Sequence, residues 1–511
     1  MTHRLEAFAD VGLDEALLKL VIDEHRRHLP RLEKLWAYYR NPLRPVGAAG
    51  SAEPGRPGRW YRQAQECGLP ARITGCAGST KPLTDDRAAA RREIVIENDI
   101  AWRVQAMVDF MFGQPLPMVS TAADESKRRT IERVLDKVWE HSGGIALLQD
   151  AALLGHVFGH VDLLLRFDAE QLRLAVTQRG LNSELDRALA AAEALRIEVI
   201  DPRRGIPILD EHDYRRLAAY VISFEREANA AAPLGLADRL LPRLKGQEPA
   251  RERRRIEITE VISPHAWHVY ENGRLIWEQA APGVLTDGAL PVVHIQNISE
   301  PFEYAGLSEV EPLIALQDEL NTRLSDRASR VTLQCFKMYL AKGIDGFEKM
   351  PIGPGQVFAT ENPDATIESF GGDAASPSED AHIQQVRDGL DKASSIPPVA
   401  SGIVQAKIGN LSSANALRIT LMGVLSKTAR KRVTYGGGIA RMNGLILAAL
   451  DNAGALVTRE EDRGVRLAWP DPLPPDTREQ VMAAEAKAKL GVPPERILAE
   501  LGYQPTDPGV T

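Results

Sequence analysis

The sequence predicts an α+β fold that is mainly helical, and three observations support this. Apolar residues recur at helical spacing over several long segments. Residues 196–287 contain short, alternating runs that are typical of strands. A single helical segment, Ser413–Asn452, extends for about forty residues. At 511 residues the chain is too long for one ordinary core, so we expect roughly three domains or lobes.

The N-terminal part is predicted to be helical. Asp14–Arg40 has the pattern of an amphipathic helix, in which Pro30 should cause a kink or a break. Asn98–Phe112 is a second helix, and Gly113 followed by Pro115 should end it. Further helices are expected at Glu125–His141 and Gly144–Gly159, before a strand at Val161–Phe167.

The middle of the chain is predicted to form strands. The runs IEVI, AAYVISF, RIEITEVI, AWHVYENG and RLIWE lie between Arg196 and Asp287. The dipeptide Asn272-Gly273 is a strong signal for a tight hairpin turn. Ala230–Arg255 is rich in Pro, Leu and Arg, and is expected to be an excursion on the surface. Pro291–Gln296 should be one more short strand.

The C-terminal half shows a distinctive order of predicted elements. A long helix, Leu307–Gln334, precedes a β-rich insert, Cys335–Ser378, and a second helix, Glu379–Ser395. Two helices that flank an insert can form a hairpin stalk with the insert at its tip. An irregular loop, Ile396–Ser412, follows.

The chain should end in a long helix and a small helical region. Ser413 is expected to cap the helix that reaches Asn452, and Gly436–Gly438 should kink it. A short strand, the linker WPDPLPPD and two terminal helices, near Thr477–Leu490 and Pro494–Leu501, should follow.

Composition and charge exclude several classes of protein. The net charge of −8 argues against a protein that coats nucleic acid through a basic face. The odd number of cysteines, three, argues against a disulfide framework and fits a reducing compartment. Charged residues interrupt the most apolar stretches, Ile145–Leu165 and Gly436–Val457, so we expect a soluble protein.

No motif for an enzyme or a cofactor is evident. The sequence has no GxxxxGK[ST] phosphate loop, no GxGxxG after a strand and no HExxH. His156 and His160, four residues apart, could share one helix face, but no third metal ligand lies nearby in the sequence. His265 and His268 bracket Trp267 in a strand-like run and are expected to be ordinary core or surface residues. We therefore expect no catalytic residues, no metal and no cofactor.

The order of elements and several local sequences resemble the portal proteins of tailed phages, in the SPP1-like branch. RLEKLWAYYRN, IENDIAWRVQAMVDFMFGQPLPM, DAALLGHVFGHVDLLL and VIDPRRGIPILD match blocks of that family in order. The most specific block is PVVHIQNISEPFEYAGLSEVEPLIALQDELNTRLSDRAS, which contains Asp318, Asn321, Ser325 and Asp326. IGNLSSANALRITLMGVLSKT resembles the start of the family's long wing helix.

The resemblance implies an architecture and a function. Residues 1–305 would form the wing, 306–334 and 379–395 the two stem helices, and 335–378 the clip. Residues 396–412 would be the tunnel loop, 413–453 the long wing helix and 454–511 the crown. The protein would form a ring, usually a dodecamer, at a capsid vertex, through which double-stranded DNA is packaged, retained and ejected. Terminase, a head–tail adaptor and a capsid or scaffolding protein would be its partners, with assembly in the host cytoplasm.

Two sets of residues would serve the channel. Acidic side chains on the stem helices would become rings of negative charge that repel phosphate and so prevent tight binding. The candidates are Glu309, Glu311, Asp318, Glu319 and Asp388. In the tunnel loop, apolar Val399, Ile403 and Val404 would narrow the channel, while Lys407 could touch phosphate.

Two other classes of function remain open at this point. A metal-dependent nucleic-acid enzyme would need a cluster of acidic or His ligands, which the sequence does not reveal. A different head–tail structural adaptor would share the helical composition. The apolar positions of the long helix should need neighbouring subunits to cover them. They are Leu417, Leu421, Leu425, Met442, Leu445 and Leu450.

Overall fold

The computed structural model describes most of the chain. The described residues are 5–45, 61–74, 76–77, 81–82, 93–177, 183–213, 216–231, 251–280, 285, 289–335, 338–342, 362–370, 376–402, 414–473, 477–494 and 497. They divide into two compact units. Unit 1 comprises Met1–Glu33, Val104–Glu309 and Pro397–Thr511, and unit 2 comprises Lys34–Arg103 and Val310–Ile396.

Both helices and strands are present, which confirms the mixed fold. The helices are α1 Glu15–Arg40, α2 Ala71–Thr74, α3 Asp99–Phe112, α4 Glu125–His141, α5 Ile145–Phe158, α6 Ala169–Thr177, α7 Glu184–Ala192, α8 Ile314–Cys335, α9 Pro377–Ser394, α10 Ala414–Thr420, α11 Met422–Asn452 and α12 Thr477–Lys489. Short 3₁₀ helices occur at Glu6–Val11, Ala64–Gly68, Glu311–Leu313, Pro398–Ser401 and Glu460–Arg463.

The strands are short, with two exceptions in the middle of the chain. They are β1 Leu43–Pro45, β2 Tyr61–Gln63, β3 Cys76–Ala77, β4 Lys81–Pro82, β5 Met118–Ser120, β6 His160–Phe167, β7 Leu195–Ile200, β8 Gly205–Leu209, β9 Leu217–Ala231, β10 Arg251–Ile262, β11 Trp267–Glu271, β12 Arg274–Gln279, β13 Val292–Gln296, β14 Met338–Lys342, β15 Thr366–Phe370 and β16 Val465–Leu467.

Unit 1 contains two larger antiparallel sheets. The five-stranded sheet has the order β12-β11-β10-β9-β8, and the three-stranded sheet has the order β13-β6-β7. Phe8 and the start of α1 pack on the five-stranded sheet. The turn between β11 and β12 is Asn272-Gly273, with φ angles of 48° and 77°, as the hairpin signal predicts.

Helix α11 buries a long apolar face inside unit 1. Tyr435, Ile439, Met442, Ile446 and Leu450 recur at helical spacing and are almost fully buried. The expectation that neighbouring subunits must cover this face is therefore wrong for its buried positions, including Leu421. Elements of the same subunit already cover them.

Two helices continue through residues at which a break or a kink is expected. Pro30 does not split the first helix, since α1 is continuous from Glu15 to Arg40. The C-terminal helix is interrupted at Leu421, with ψ near 9°, and α11 continues through Gly436–Gly438. A Cβ at Gly438 would lie 2.3 Å from Ile295 Cγ1, so this glycine permits close packing against β13.

The boundaries of two further segments differ from the prediction. Strands β9 and β10 extend into Ala230–Arg255, where Ala231 pairs with Arg251, and residues 232–250 lie outside the described residues. The helix expected from Leu307 begins at Ile314. Two backbone hydrogen bonds hold the preceding segment in an irregular conformation. The Leu307 N–H donates to the Ile298 carbonyl, and the Glu309 N–H donates to the His156 carbonyl.

Candidate functional site

Unit 2 contains an antiparallel helical hairpin made of α8 and α9. Arg330 pairs with Glu379, and the Arg327 guanidinium lies 3.1 Å from the Asp380 carboxylate, at one end of the hairpin. Gly389 faces Leu316 at the other end. Between the two helices in sequence, β14 pairs with β15. The prediction that these two helices pack together, with strands between them, is confirmed.

A ladder of polar side chains on α8 holds an extended segment of unit 2. Gln317, Asn321, Ser325 and Ser329 recur every four residues on one face of the helix. Each accepts a hydrogen bond of 3.0–3.1 Å from a backbone N–H of segment 93–99. The four donors alternate along the segment and are Asp99, Glu97, Val95 and Glu93.

The hydrogen bonds of the ladder form in register because the rise of four helix residues is close to the advance of two residues of extended chain. Four residues of helix rise about 6 Å, and two residues of extended chain advance about 6.6 Å. Polar residues at every fourth position of α8 can therefore satisfy alternate N–H groups of a strand that lacks a sheet partner. Asn321 also donates to Gln65 Oε1 at 3.0 Å, which ties a third segment to the same face. This explains why a buried helix face is polar.

The acidic residues predicted for the channel have different surroundings in unit 2. Tyr38 donates its hydroxyl to Asp318 at 2.8 Å, and burial raises the pKa of both groups. Glu319 accepts from Arg323 at 2.7 Å, which lowers its pKa, and also contacts His382. These two carboxylates are half-buried and hydrogen-bonded.

The other two acidic candidates in unit 2 are exposed. Asp388 lies on the outer face of α9, where its carboxylate accepts from Gln384 at 2.9 Å. Glu311 lies on the 3₁₀ turn before α8. Overall, α8 carries three acidic and three Arg residues, whereas α9 carries four acidic residues against one Arg and one Lys. The excess of negative charge on the hairpin is therefore small and belongs to α9.

Glu309 is not a surface charge, so the prediction that it faces an open channel is wrong. It is the last residue of its segment of unit 1, and its carboxylate lies against Lys427 and, at 2.7 Å, Lys431 of α11. All three side chains are buried. Burial alone would raise the pKa of Glu309, but the two ammonium groups lower it to about 2. Burial lowers the pKa of Lys431 to about 8.

The start of the predicted tunnel loop is anchored by a buried arginine that the sequence did not reveal. Arg103 of α3 is 2% exposed. Its guanidinium donates to Ser394 Oγ at 3.0 Å, to the Ile396 carbonyl at 2.7 Å and to Asp391 at 2.7 Å. Its only sequence signal is that it is the one cation of a mainly apolar helix.

The loop itself is described in part. Val399 is half-buried on the 3₁₀ turn Pro398–Ser401, where its carbonyl accepts from the Gly402 N–H at 3.1 Å. Ile403, Val404 and Lys407 lie outside the described residues.

The histidine pair considered for metal binding does not share a helix face. Helix α5 ends at Phe158, so His156 is helical while His160 begins β6. His156 Nδ1 faces the Ala152 carbonyl, and burial holds its pKa well below the usual range. Across the described ranges, no group of three or more His, Cys, Asp and Glu side chains is arranged to hold a metal ion.

A second buried polar cluster of unit 1 also went unpredicted. Asp162 of β6 accepts from Tyr220 at 2.6 Å, Tyr304 at 2.9 Å and His294 at 2.7 Å. Desolvation would raise the pKa of Asp162, but the neighbouring His294 lowers it. The cluster joins β6, β9 and β13 to the segment that follows β13. Its role is to hold these elements together.

Membrane insertion receives no support from the helices. Of those the structure describes, none has both the length and the apolar character that crossing a bilayer requires.

Comparison with known proteins identifies one family over nearly the whole chain. The family described as phage portal protein, SPP1 Gp6-like, matches residues 18–503. No curated protein sequence matches. Among solved structures, the chain is similar to one from the virion of a native gene transfer agent particle. The two chains are 12% identical, the match covers 80% of this chain and 90% of that chain, and the TM-score is 0.43. A chain from the neck of an empty particle of this kind, computed with C6 symmetry, gives the same identity and coverage and a TM-score of 0.39.

Proposed function

The chain belongs to the SPP1 Gp6-like family of phage portal proteins, and on this premise we propose how its parts form the channel at a capsid vertex. The family match covers residues 18–503, so the portal role applies to the chain as a whole. Copies of the chain assemble into a closed ring, with twelve subunits in the capsid. The observation that supports this arrangement best is the α8–α9 hairpin with β14 and β15 between its helices.

The hairpin is the stem of the ring. Residues 306–334 and 379–395 supply the two stem helices, and the helix proper starts at Ile314. Residues 335–378, which include β14 and β15, form the clip. Residues 1–305 and 413–453 form the wing, 396–412 the tunnel loop and 454–511 the crown. The ladder on α8 holds segment 93–99 along this helix without help from a sheet.

A weakly negative wall suits a channel through which DNA slides. Asp388 and Glu311 are exposed and can form rings of charge, whereas Asp318 and Glu319 are half-buried. Repeating a small negative charge about an axis repels phosphate and prevents tight binding. In the tunnel loop, the apolar residues Val399, Ile403 and Val404 would narrow the channel, and Lys407 would contact phosphate.

The partners follow from the position at the vertex. A terminase drives double-stranded DNA through the ring, a head–tail adaptor docks on the clip, and a capsid or scaffolding protein contacts the wing. Assembly takes place in the host cytoplasm before the subunits enter the virion. The protein acts as a structural conduit, without a catalytic residue, metal or cofactor of its own.

Electron microscopy and one deletion test the proposal. Purified full-length protein should form rings with a central hole. Removing residues 403–410 should leave the rings intact and reduce the amount of packaged DNA that particles retain. A matched deletion of eight residues, 236–243, provides the control and should leave retention unchanged. Protein that stays monomeric at every concentration would refute the ring, and normal DNA retention after the loop deletion would refute the role of the loop.

A further inference from the structure

Arg103 is placed at the point where the stem ends and the tunnel loop begins. Helix α9 ends at Ser394, and Ser395 takes a left-handed conformation with φ of 59°. The next residue, Ile396, is 2% exposed, and its carbonyl accepts one of the hydrogen bonds from Arg103. The first residue of the loop is therefore fixed by a side chain from a different part of the sequence.

We propose that Arg103 is the positioning residue of the tunnel loop. It fixes the first residue of the loop, Ile396, against the end of α9. The inference rests on the proposed function, since it assigns a role to Arg103 through residues 396–412. Arg103 itself does not contact DNA.

The chemistry of the three contacts requires an arginine. The acceptors are a hydroxyl, a backbone carbonyl and a carboxylate, on Ser394, Ile396 and Asp391. A planar guanidinium offers five N–H groups in a fixed fork and can serve three acceptors in different directions. A lysine ammonium is a compact charge that can keep the pair with Asp391 without holding the other two.

The contacts also restrain the backbone beyond the helix. The Ile396 N–H donates to Ser394 Oγ at 3.2 Å, so the hydroxyl that Arg103 binds is itself part of the turn. The Ala400 N–H then donates to the Pro397 carbonyl at 2.9 Å. Loss of the guanidinium would remove one hydrogen bond from the Ser394 hydroxyl and one from the Ile396 carbonyl, and the turn would exchange its amide hydrogens faster.

Hydrogen exchange on assembled full-length protein tests the proposal directly. Arg103→Met should speed exchange in peptides spanning 394–402 by about tenfold, because it removes buried charge-assisted hydrogen bonds. Arg103→Lys should fall between Met and the wild type. The matched control is Arg387→Met, which removes an exposed pair between α9 and Glu97 and should leave exchange at 394–402 unchanged. Strands β9 and β10 report whether the protein as a whole is destabilised.

Each result separates the positioning role from the function of the loop. Unchanged exchange at 394–402 in Arg103→Met overturns the inference, and so does an equal increase in Arg387→Met or in β9 and β10. If Arg103→Met does not assemble, Arg103→Lys carries the test with the same criteria. Faster exchange together with lower DNA retention in particles supports both proposals. Faster exchange with normal retention supports the positioning role and overturns the channel role of the loop.

Discussion

The charged cluster around Glu309 in unit 1 and the ion pairs on the outer surface of the α8–α9 hairpin in unit 2 have opposite surroundings. In unit 1, the Glu309 carboxylate lies between the ammonium groups of Lys427 and Lys431, and all three side chains are buried. In unit 2, the ion pair between Arg327 of α8 and Asp380 of α9 lies on the outer surface of the hairpin and is open to solvent. From the sequence, Glu309 and the acidic residues of α8 belong to one class. The structure separates them into a buried anchor and a solvated surface.

The difference shows how burial changes the contribution of an ion pair to the free energy of unfolding. Breaking a buried ion pair leaves an uncompensated charge and costs about 3–5 kcal/mol, whereas an exposed pair contributes about 0–1 kcal/mol. The cluster in unit 1 has two ammonium groups for one carboxylate, so the carboxylate is the indispensable member.

The largest effect is expected when Glu309 loses its charge. Glu309→Gln leaves two ammonium groups buried without their carboxylate and should lower the free energy of unfolding by about 3–5 kcal/mol. The matched variant Lys431→Met keeps the pair between Glu309 and Lys427 and should cost much less. Denaturant unfolding of the full-length protein measures both. Equal losses in the two variants would contradict the central role of the carboxylate.

Acid should reproduce the same loss in the unaltered protein. The pKa of Glu309 is about 2 in the folded state, below its ordinary value of 4.5. The unfolded chain therefore takes up the proton first, so the stabilisation is complete above pH 4.5 and is lost as the pH falls towards 2. The loss attributable to this group is about 3 kcal/mol. Unfolding curves between pH 5 and 2 should show this component in the wild type and lack it in Glu309→Gln.

The ladder on α8 should show an intermediate effect. Asn321 accepts from the Glu97 N–H and donates to Gln65, and its side chain is fully buried. Asn321→Leu leaves both partners unsatisfied and should lower the free energy of unfolding by about 2 kcal/mol. Ser329→Ala removes a rung at the solvent-exposed end of the ladder and should cost less than about 1 kcal/mol. A cost for Asn321→Leu no greater than that for Ser329→Ala would contradict the ladder as a buried unit.

Local patterns predicted much of the fold. Glu125–His141 is the helix expected from its apolar stripe, and the Asn272-Gly273 turn has the two positive φ angles that its sequence requires. These features depend on neighbours in the sequence. Pro30 does not break α1, because packing along the helix, where Leu18 and Leu35 are buried, outweighs the hydrogen bond that proline removes.

The features that the sequence could not predict depend on contacts between residues that are far apart in the sequence. By residue type alone, Lys427 and Lys431 would be surface cations, and only the fold brings Glu309 between them. Arg103 depends in the same way on residues almost three hundred positions later. Asn321 and Ser325 were noted as part of a family-like block, but their physical role needed segment 93–99 to be placed beside them.

The smallest change in the free energy of unfolding is expected at the surface of the hairpin. It tests whether the exposed ion pair between Arg327 and Asp380 contributes little to stability. The Arg327 and Asp380 side chains are 45% and 57% exposed, so water screens their interaction and each must give up conformational freedom to form it. Asp380→Asn should change the free energy of unfolding by less than about 1 kcal/mol and leave ring formation intact. Thermal unfolding with and without 1 M salt measures the difference, which should shrink further in salt because mobile ions screen exposed charges. A loss as large as that of Glu309→Gln would mean that a partner covers this face in the ring, and the charges of α9 would then line an interface instead of an open channel.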